Sequence, residues 1–323
     1  MIRIALYVCP QTVCSSLTMA DDAFRLANLL AGEECFRIQR VSSDGKAVEL
    51  GFVEVRVDGD LRLAEEADLL LIPATGSAQH RTLEGNRTLL QWLAKRPAEQ
   101  QLASLCSSAF LLAAAGLLDG RRATTHWALA NQFRQHFPRV HLQIDQLFTE
   151  DRNRFCSGGA QAGLDLCLHL IAWHAGDWLA QRVANTLVVD RERGQQSRFA
   201  PLLPDMVVDD ALVAPLLRWL QHHHGEAIDL QRLAGQANCS TRTLLRRFKA
   251  ATGLTPNDYL QRLRISAAQS ALRNPARSLE QVAAQVGYAD RATFAKLFKQ
   301  LCGETPGAFR KRLNNRPSRT DPA

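Results

Sequence analysis

Residues 102–127 read LASLCSSAFLLAAAGLLDGRRATTHW. The apolar run that ends at Cys106 has the length of a buried strand, and the run rich in alanine and leucine after it favours a helix. A cysteine therefore lies where a strand turns into a helix. Such a turn holds its residue at the carboxyl end of a sheet, close to the first amides of the helix. His126 follows twenty residues later.

The surrounding sequence repeats this alternation of strand and helix. The apolar runs 2–8, 67–73 and 101–106 predict buried parallel strands, because they are continuous and bounded by turn residues. Shorter strands are expected near 140–156. Helices are expected at about 19–31, 83–95, 107–116, 127–137 and 161–173. This order predicts an α/β fold in which a doubly wound sheet carries helices on both faces.

The C-terminal third contains an internal repeat with an offset of 50 residues. STRTLLRRFKAATGLTP (240–256) aligns with DRATFAKLFKQLCGETP (290–306), with phenylalanine, lysine, glycine and Thr-Pro at matching positions. Each copy predicts a helix that begins after an N-cap, Ser240 or Asp290, and ends at a glycine. A pattern repeated at a fixed offset indicates a duplicated structural unit.

A short helix is predicted before each copy, at 229–236 and at 279–286, and Ser278 with Gln281 forms a capping box for the second. Only three or four residues separate each short helix from the next one. Two helices joined by a tight turn can place the second in the major groove of DNA. A long amphipathic helix at 256–272 joins the two copies, so an all-α domain with two helix-turn-helix motifs is expected.

The net charge of +7 is unevenly distributed. Residues 215–323 carry 18 Lys and Arg against 7 Asp and Glu, a net charge of +11, whereas residues 1–214 carry 21 against 25, a net charge of −4. A basic module beside a weakly acidic one predicts binding to a polyanion. Charge alone leaves RNA and membrane surfaces open, and the paired helices favour double-stranded DNA.

The C-terminal region, about residues 212–313, resembles the AraC/XylS-type DNA-binding domain, in which a helix joins two helix-turn-helix motifs. GYADRATFAKLFKQLCGETPGAFRKR (287–312) is close to that family's signature. In this family the second helix of each motif enters the major groove, which implicates 241–250 and 291–300 here. The residues thereby implied to contact DNA are Arg242, Thr243, Arg246, Arg247, Lys249, Arg291, Thr293, Lys296 and Lys299.

Residues 2–190 resemble the PfpI-like, class I glutamine amidotransferase-like domain, in the variety fused to an AraC-type module (the GlxA group of regulators). The segments 105–127 and 155–171, the latter FCSGGAQAGLDLCLHLI, carry the resemblance. It implies a pocket for a small-molecule effector such as an amino acid or a quaternary-amine metabolite, for example arginine, a betaine or a carnitine-like compound. The implied pocket residues are Cys106, Ser107, His126, Ser16, Thr75, Gly76, Ser157 and Gly158.

The catalytic machinery of that superfamily is incomplete in this sequence. Its enzymes use a cysteine and a histidine, which Cys106 and His126 match in this sequence. They often add an acidic residue, but Ser15 or Ser16 lies at that position here. Ala-Thr-Gly (74–76) replaces the paired glycines that supply an oxyanion-binding amide, and no His-x-Glu follows His126 up to residue 190, where the resemblance ends. A nucleophile without these groups loses orders of magnitude in rate. We therefore predict a retained pocket without catalysis.

Two rival functions remain at this stage beside a ligand-responsive transcriptional regulator. One is a cysteine hydrolase or amidase that the basic domain merely localises. The other is a redox sensor, since helix amides next to Cys106 would lower the pKa of its thiol and favour the oxidisable thiolate.

Composition limits the other possibilities. The eight cysteines form no CxxC pair, and His222-His223-His224 has no ligand partners at metal spacing, so neither a metal site nor a resident cofactor is predicted. No apolar segment reaches the roughly 18 residues of a membrane span, and MIRIALYV predicts a first strand and not a signal peptide. A cytoplasmic protein without membrane contact is expected.

The expected organisation has four parts: a ligand-sensing and dimerisation domain at 1–190, a linker at 191–210, a DNA-binding domain at 211–313 and a disordered tail at 314–323. Dimerisation through the N-terminal domain is expected because the C-terminal domain repels its own copy. RNA polymerase would be a further partner of an activator.

Overall fold

The computed structural model describes residues 1–97, 99–191, 195–196, 202–203 and 210–314. The chain divides into two compact units, Met1–Ser197 and Arg198–Ala323. Most of the predicted linker (191–210) and of the predicted disordered tail (314–323) lies outside the described residues, so both stay predictions.

The N-terminal unit alternates strands and helices along the chain. Its strands are β1 (Ile2–Tyr7), β2 (Phe36–Val41), β3 (Val48–Glu49), β4 (Glu54–Val55), β5 (Leu69–Ile72), β6 (Gln101–Ser104), β7 (Arg122–Ala123), β8 (His141–Leu142), β9 (Phe148–Asp151) and β10 (Arg154–Ser157). Its helices are α1 (Cys14–Ala31), α2 (Leu61–Glu65), α3 (Gln79–Gly85), α4 (Arg87–Leu93), α5 (Ala109–Ala114), α6 (Ala130–His136), α7 (Ala162–Ala175) and α8 (Asp177–Thr186).

Six strands form one sheet in the order β2-β1-β5-β6-β10-β9, parallel except for β9, which pairs antiparallel with β10. Alternate residues of β1 and β5 enter the cores on opposite faces: Leu6 and Leu71 on one, Tyr7 and Leu70 on the other. Burial on both faces explains why these strands are continuous apolar runs. The predicted doubly wound α/β fold is confirmed.

Strand order positions the functional site. The chain passes from β1 outward to β2 and then returns to β5 on the other side of β1. Ligands of doubly wound sheets bind outside the carboxyl ends of the strands at such a reversal. The first residues of α1, the loop after β5 and the turn at Cys106 after β6 all lie at this edge.

Several predicted elements have different bounds. The helix expected at 83–95 is two helices, α3 and α4, which meet at buried Asn86; its Oδ1 accepts from the Tyr7 hydroxyl (2.7 Å). The helices expected at 107–116 and 127–137 begin as 3₁₀ turns, Cys106–Ser108 and Trp127–Leu129. Strand β2 and helix α8 lie outside the predicted elements. In β2, the polar residues of FRIQRV obscure the strand pattern.

The C-terminal unit is helical over the described residues and has the predicted duplication. Its helices are α9 (Val213–His223), α10 (Leu230–Gln236), α11 (Thr241–Thr252), α12 (Pro256–Ala271), α13 (Leu279–Gln285), α14 (Arg291–Cys302) and α15 (Pro306–Asn314). The predicted caps are confirmed. Ser240 and Asp290 accept from backbone amides of α11 and α14, and Gly253 and Gly303, at φ of 74° and 77°, end those helices. Ser278 and Gln281 form the expected capping box.

Helix α12 joins two separate hydrophobic cores. Its first half, including Tyr259 and Leu260, packs with Leu244 and Phe248 of the first motif. Its second half, which includes Ile265, packs with the aromatic residues of the second motif. Each helix-turn-helix motif therefore has its own core, and α12 holds the two cores together.

Arg264, on α12, is buried where the two motifs meet. Its guanidinium donates to the carbonyl oxygens of His224 (2.8 Å) and Glu226 (2.7 Å), in the segment before α10. It also lies 5.5 Å from the centre of the Tyr288 ring, in the turn between α13 and α14. One buried cation thus contacts segments of both motifs and fixes the separation between them.

Candidate ligand cavity and nucleic-acid interface

A cavity of about 280 Å³ lies at the carboxyl ends of β1, β5 and β6. Five of the eight predicted pocket residues line it: Ser16, Gly76, Cys106, Ser107 and His126. Sequence reasoning missed most of the apolar lining, which comes from Val13, Met19, Ala74, Leu129 and others. The position of Met19 three residues after Ser16 on α1 was the available signal, since residues three and four apart share one helix face.

The other three predicted residues lie behind this lining. Thr75 is buried, and its backbone N–H donates to the Ser107 hydroxyl (2.9 Å). Ser157 is also buried and accepts from the backbone N–H of Cys106 (3.1 Å). Gly158 lies against the side chain of Gln196. These three residues pack behind the cavity wall and do not line the cavity itself.

Cys106 occupies the predicted turn from strand to helix. Its φ of 58° is in the left-handed region, which non-glycine residues rarely adopt. Two hydroxyl groups hold this conformation: Ser157 accepts from the Cys106 N–H, and Thr125 donates to the Cys106 carbonyl oxygen (2.8 Å). Hydrogen bonds to both the N–H and the carbonyl oxygen of Cys106 therefore stabilise the strained turn.

The thiol of Cys106 is not the predicted thiolate. Burial raises the pKa of Cys106 above its ordinary value, because a thiolate in the cavity wall would lose its hydration. Hydrogen bonds from Ser107 act in the opposite direction and are the smaller effect. The expectation that helix amides lower this pKa is wrong, because desolvation outweighs the nearby donors.

His126 is arranged as a neutral, backbone-bound ring. Burial lowers the pKa of His126, which disfavours the imidazolium. Its Nδ1 accepts from the backbone N–H of Ala128 (3.1 Å), so the proton of the neutral ring is on Nε2. The edge formed by Cδ2 and Nε2 lies against Gly159. In this tautomer neither nitrogen can act as the general base that a cysteine nucleophile needs.

Two amides of the loop after β5 already have hydrogen-bond partners. The N–H of Ala74 donates to the Ser16 hydroxyl (3.0 Å), and the N–H of Thr75 donates to the Ser107 hydroxyl (2.9 Å). An oxyanion hole needs donors directed at the reacting oxygen. Here two serine hydroxyls take the place of that oxygen. They connect the loop after β5 to helix α1, through Ser16, and to the turn at Cys106, through Ser107.

Basic side chains cover one face of each second helix. On α11, Arg242, Arg246 and Lys249 are exposed at i, i+4 and i+7 spacing. The corresponding exposed face of α14 carries Arg291, Thr293, Lys296 and Lys299. The Thr243 hydroxyl is half-buried and accepts from Ser240 (3.0 Å). The two motifs therefore present similar basic surfaces with matched positions.

Two of the predicted DNA-contacting arginines have partners within the domain. Arg247 makes a two-bond ion pair with Asp210, at 2.7 and 3.0 Å. Its second-copy counterpart is Leu297, which packs against the core. The structure therefore directs Arg247 toward the start of the domain. Arg291 pairs with Glu280 of α13 but stays exposed.

Comparison with known proteins gives two family matches. The model of the DJ-1/PfpI family matches residues 16–172, and the model of a helix-turn-helix domain matches residues 233–312. The transcriptional regulator GbdR of Pseudomonas aeruginosa is 29% identical over 90% of this chain and 79% of its own length. The regulator GlxA of Rhizobium meliloti is 28% identical over 92% of each chain. The crystal structure of Drosophila melanogaster DJ-1beta matches 58% of this chain and 98% of its own, at 18% identity and a TM-score of 0.50.

An α/β unit followed by two basic helix-turn-helix motifs defines a DNA-binding transcriptional regulator. The chain belongs to the AraC-type regulators that carry a PfpI-like domain, as GbdR and GlxA do. Among the described residues, no helix is long and apolar enough to cross a membrane.

The raised pKa of Cys106 predicts slow alkylation. The thiolate is the reactive form, so the rate with iodoacetamide, followed at the Cys106 peptide by mass spectrometry, should rise with pH through a midpoint above that of an ordinary thiol. The same peptide in urea-unfolded protein, which lacks the burial, should react faster at pH 7. Faster alkylation in the folded protein would show that a thiolate is present.

Proposed function

We propose that a small-molecule effector binds in the Cys106 cavity and controls how this regulator binds DNA. The observation that carries the proposal is a cavity at the strand-order reversal that keeps the cysteine turn, while several groups that catalysis would need are hydrogen-bonded within the protein. The amides of Ala74 and Thr75 donate to serine hydroxyls, and Nδ1 of His126 accepts from the backbone. Binding without turnover is the function that remains for such a pocket.

The same features argue against the two rival functions. A cysteine hydrolase needs a base within reach of the thiol and free oxyanion donors, whereas Nδ1 of His126 and the amides of Ala74 and Thr75 already have partners. A redox sensor needs an accessible thiolate, whereas burial raises the pKa of Cys106. We therefore propose that the protein is not an enzyme and that Cys106 acts as a wall of the effector site.

The cavity favours a carboxylate-bearing effector. Val13, Ser15 and Ser16, at the start of the 18-residue helix α1, line it. The N–H groups of Val13 and Ser16 donate to backbone carbonyl oxygens, and the N-cap Val13 offers no side-chain acceptor to those of Cys14 and Ser15. Uncapped amides at a helix N-terminus attract negative charge. No acidic side chain lines the cavity to repel it. Amino acids and betaines, the classes that the family resemblance implies, share this carboxylate.

We propose that the exposed basic faces of α11 and α14 contact DNA in successive major grooves. The proposed contacts are Arg242, Thr243, Arg246, Lys249, Arg291, Thr293, Lys296 and Lys299. For Arg247 we propose a positioning role, because its guanidinium is engaged with Asp210. The exposed cations make the affinity dependent on salt.

Assembly is also part of the proposal. We infer a homodimer formed through the N-terminal domain, because that domain has a net charge near zero while the C-terminal third is strongly basic. Two protomers on adjacent half-sites would gain affinity from bivalent attachment. Location in the cytoplasm, where the DNA is accessible, and contact with RNA polymerase in an activating role complete the proposal.

The DNA-binding faces can be tested on duplexes selected in vitro with the wild-type protein. We expect Arg242→Ala and Lys296→Ala each to cost about 1–3 kcal/mol in binding to the selected site, measured by fluorescence anisotropy. Arg273→Ala, an exposed cation just after α12 and off both faces, is the matched control and should bind within about 0.5 kcal/mol of wild type. Equal losses for all three variants would contradict the assignment.

The cavity can be tested with pairs of compounds that differ in the carboxylate. Glycine betaine and L-arginine should raise the melting temperature of the full-length protein more than choline and agmatine, which lack a carboxylate. Ala128→Trp should abolish the shift by filling the cavity, whereas Asn131→Trp, an exposed position on the next turn outside the cavity lining, should retain it. If both tryptophan variants respond like wild type, the effector binds elsewhere.

The dimer prediction concerns separate fragments. Residues 1–200 should have twice their chain mass by light scattering at micromolar concentration, and residues 205–323 should be monomeric. A monomeric N-terminal fragment, together with a full-length protein that protects a single half-site, would rule out this assembly.

A further inference from the structure

Gln196 belongs to the segment predicted as the interdomain linker, yet its side chain is buried in the N-terminal unit, with 2% exposed. Its backbone N–H donates to the carbonyl oxygen of Asp145 (2.9 Å). Glutamine is rarely buried unless its amide is fully hydrogen-bonded. The position of Gln196, two residues before the C-terminal unit begins at Arg198, makes this burial informative.

The amide group of Gln196 has hydrogen-bond partners on three segments. The two N–H bonds of Nε2 are shared among three acceptors, the Thr124 hydroxyl and the carbonyl oxygens of Thr125 and Gln146, each 3.0 Å from Nε2. Oε1 accepts from the backbone N–H of Gly159, also at 3.0 Å. Two carbonyl oxygens beside the NH₂ group and a backbone N–H beside the oxygen select an amide over an acid of the same shape.

Gly158 makes room for this amide. A Cβ atom at Gly158 would lie 2.5 Å from Cδ of Gln196, closer than any real carbon contact. The φ of Gly158 is not in the left-handed region, so the backbone itself would accept alanine. The structure therefore requires glycine at this position to leave space for Gln196. We call the residues around its amide the socket: Thr124, Thr125, Gln146, Gly158 and Gly159.

The socket and the cavity share two stretches of backbone. Thr125, whose carbonyl oxygen binds Gln196, also holds the Cys106 carbonyl through its hydroxyl. Gly159, whose N–H binds Gln196, lies against the ring of His126; a Cβ there would be 3.2 Å from Cδ2. A displacement of His126 or of the Cys106 turn must therefore alter the hydrogen bonds that seat Gln196.

We propose that Gln196 is a latch that couples the effector cavity to the DNA-binding domain. With the cavity empty, the amide occupies the socket and fixes the chain just before Arg198. A ligand against His126 and Cys106 moves the two shared stretches, the amide leaves the socket, and the chain that leads to the DNA-binding domain is released. The coupling step rests on the proposed function, whereas the seating of Gln196 does not.

The latch has the properties of a two-state element. Hydrogen bonds weaken steeply when they are misaligned, so the amide is held by all four groups together or by few of them. A ligand shifts such an equilibrium only as far as it binds one state better than the other. Because coupling between two sites is reciprocal, variants that release the latch should favour the ligand-bound state.

Seating can be tested in the ligand-free, full-length protein by trypsin cleavage at Arg193 and Arg198, which flank Gln196 in the sequence. Gln196→Glu keeps the size but replaces the NH₂ donor with an acceptor that faces the carbonyl oxygens of Thr125 and Gln146, and Gly158→Ala expels the wild-type side chain sterically. Each should be cleaved about 5-fold faster or more, because local opening exposes the segment. Gln195→Glu, the same charge change at the exposed neighbouring residue, is the matched control and should be cleaved at the wild-type rate.

A double variant tests whether Gly158 acts through Gln196. In a Gln196→Ala background the space is empty, so Gly158→Ala should add nothing to the cleavage rate, as double-mutant cycles require for a direct contact. Additive effects would mean that Gly158→Ala disturbs the fold by another route. Wild-type cleavage of both Gln196→Glu and Gly158→Ala would overturn the latch.

Coupling is measured as DNA affinity on the selected duplex, with glycine betaine and L-arginine as probes. Gln196→Glu and Gly158→Ala should change the affinity by about 5-fold or more in the same direction and should respond less to either probe than wild type. Gln195→Glu should respond normally. Unchanged affinity and a normal response in both latch variants would overturn the coupling while the cavity binding stands. Altered affinity in the latch variants with no thermal shift by either probe would instead refute the proposed effector.

Discussion

The backbone turn at Cys106 is the constraint on which the N-terminal domain depends. A non-glycine residue at a φ of 58° persists only when its surroundings over-determine it. Ser157 and Thr125 do so by binding the N–H and the carbonyl of Cys106. Because these residues also belong to the stretches that seat Gln196, the strained turn, the cavity wall and the start of the interdomain segment form one hydrogen-bonded unit.

Two serine hydroxyls close the loop that borders the cavity. The Ser16 and Ser107 hydroxyls accept from the amides of Ala74 and Thr75, so the loop after β5 is closed by internal hydrogen bonds. The cysteine keeps its position, but burial keeps it protonated. These hydrogen bonds stiffen the cavity wall, and stiffness suits the proposed transmission of a small displacement.

The DNA-binding domain shows that its basic residues have separate roles. Arg264 is buried and connects the two motifs, whereas Arg247 holds Asp210 before the first helix of the domain. The exposed cations of α11 and α14 are left for the proposed contacts with DNA. A net charge of +11 for residues 215–323 therefore overstates the number of cations available to phosphates, because part of it maintains the geometry that presents the rest.

The sequence alone determined the elements whose signals are local. Ser240, Gly253, Asp290 and Gly303 specify the ends of α11 and α14 because a cap acts within a few residues of itself, and the buried strands follow from continuous apolar runs. Only the tertiary structure decided the protonation of Cys106 and the seat of Gln196. The pKa depends on how much water packing removes, and the partners of Gln196 lie up to 72 residues away, so neither quantity is encoded by neighbouring residues.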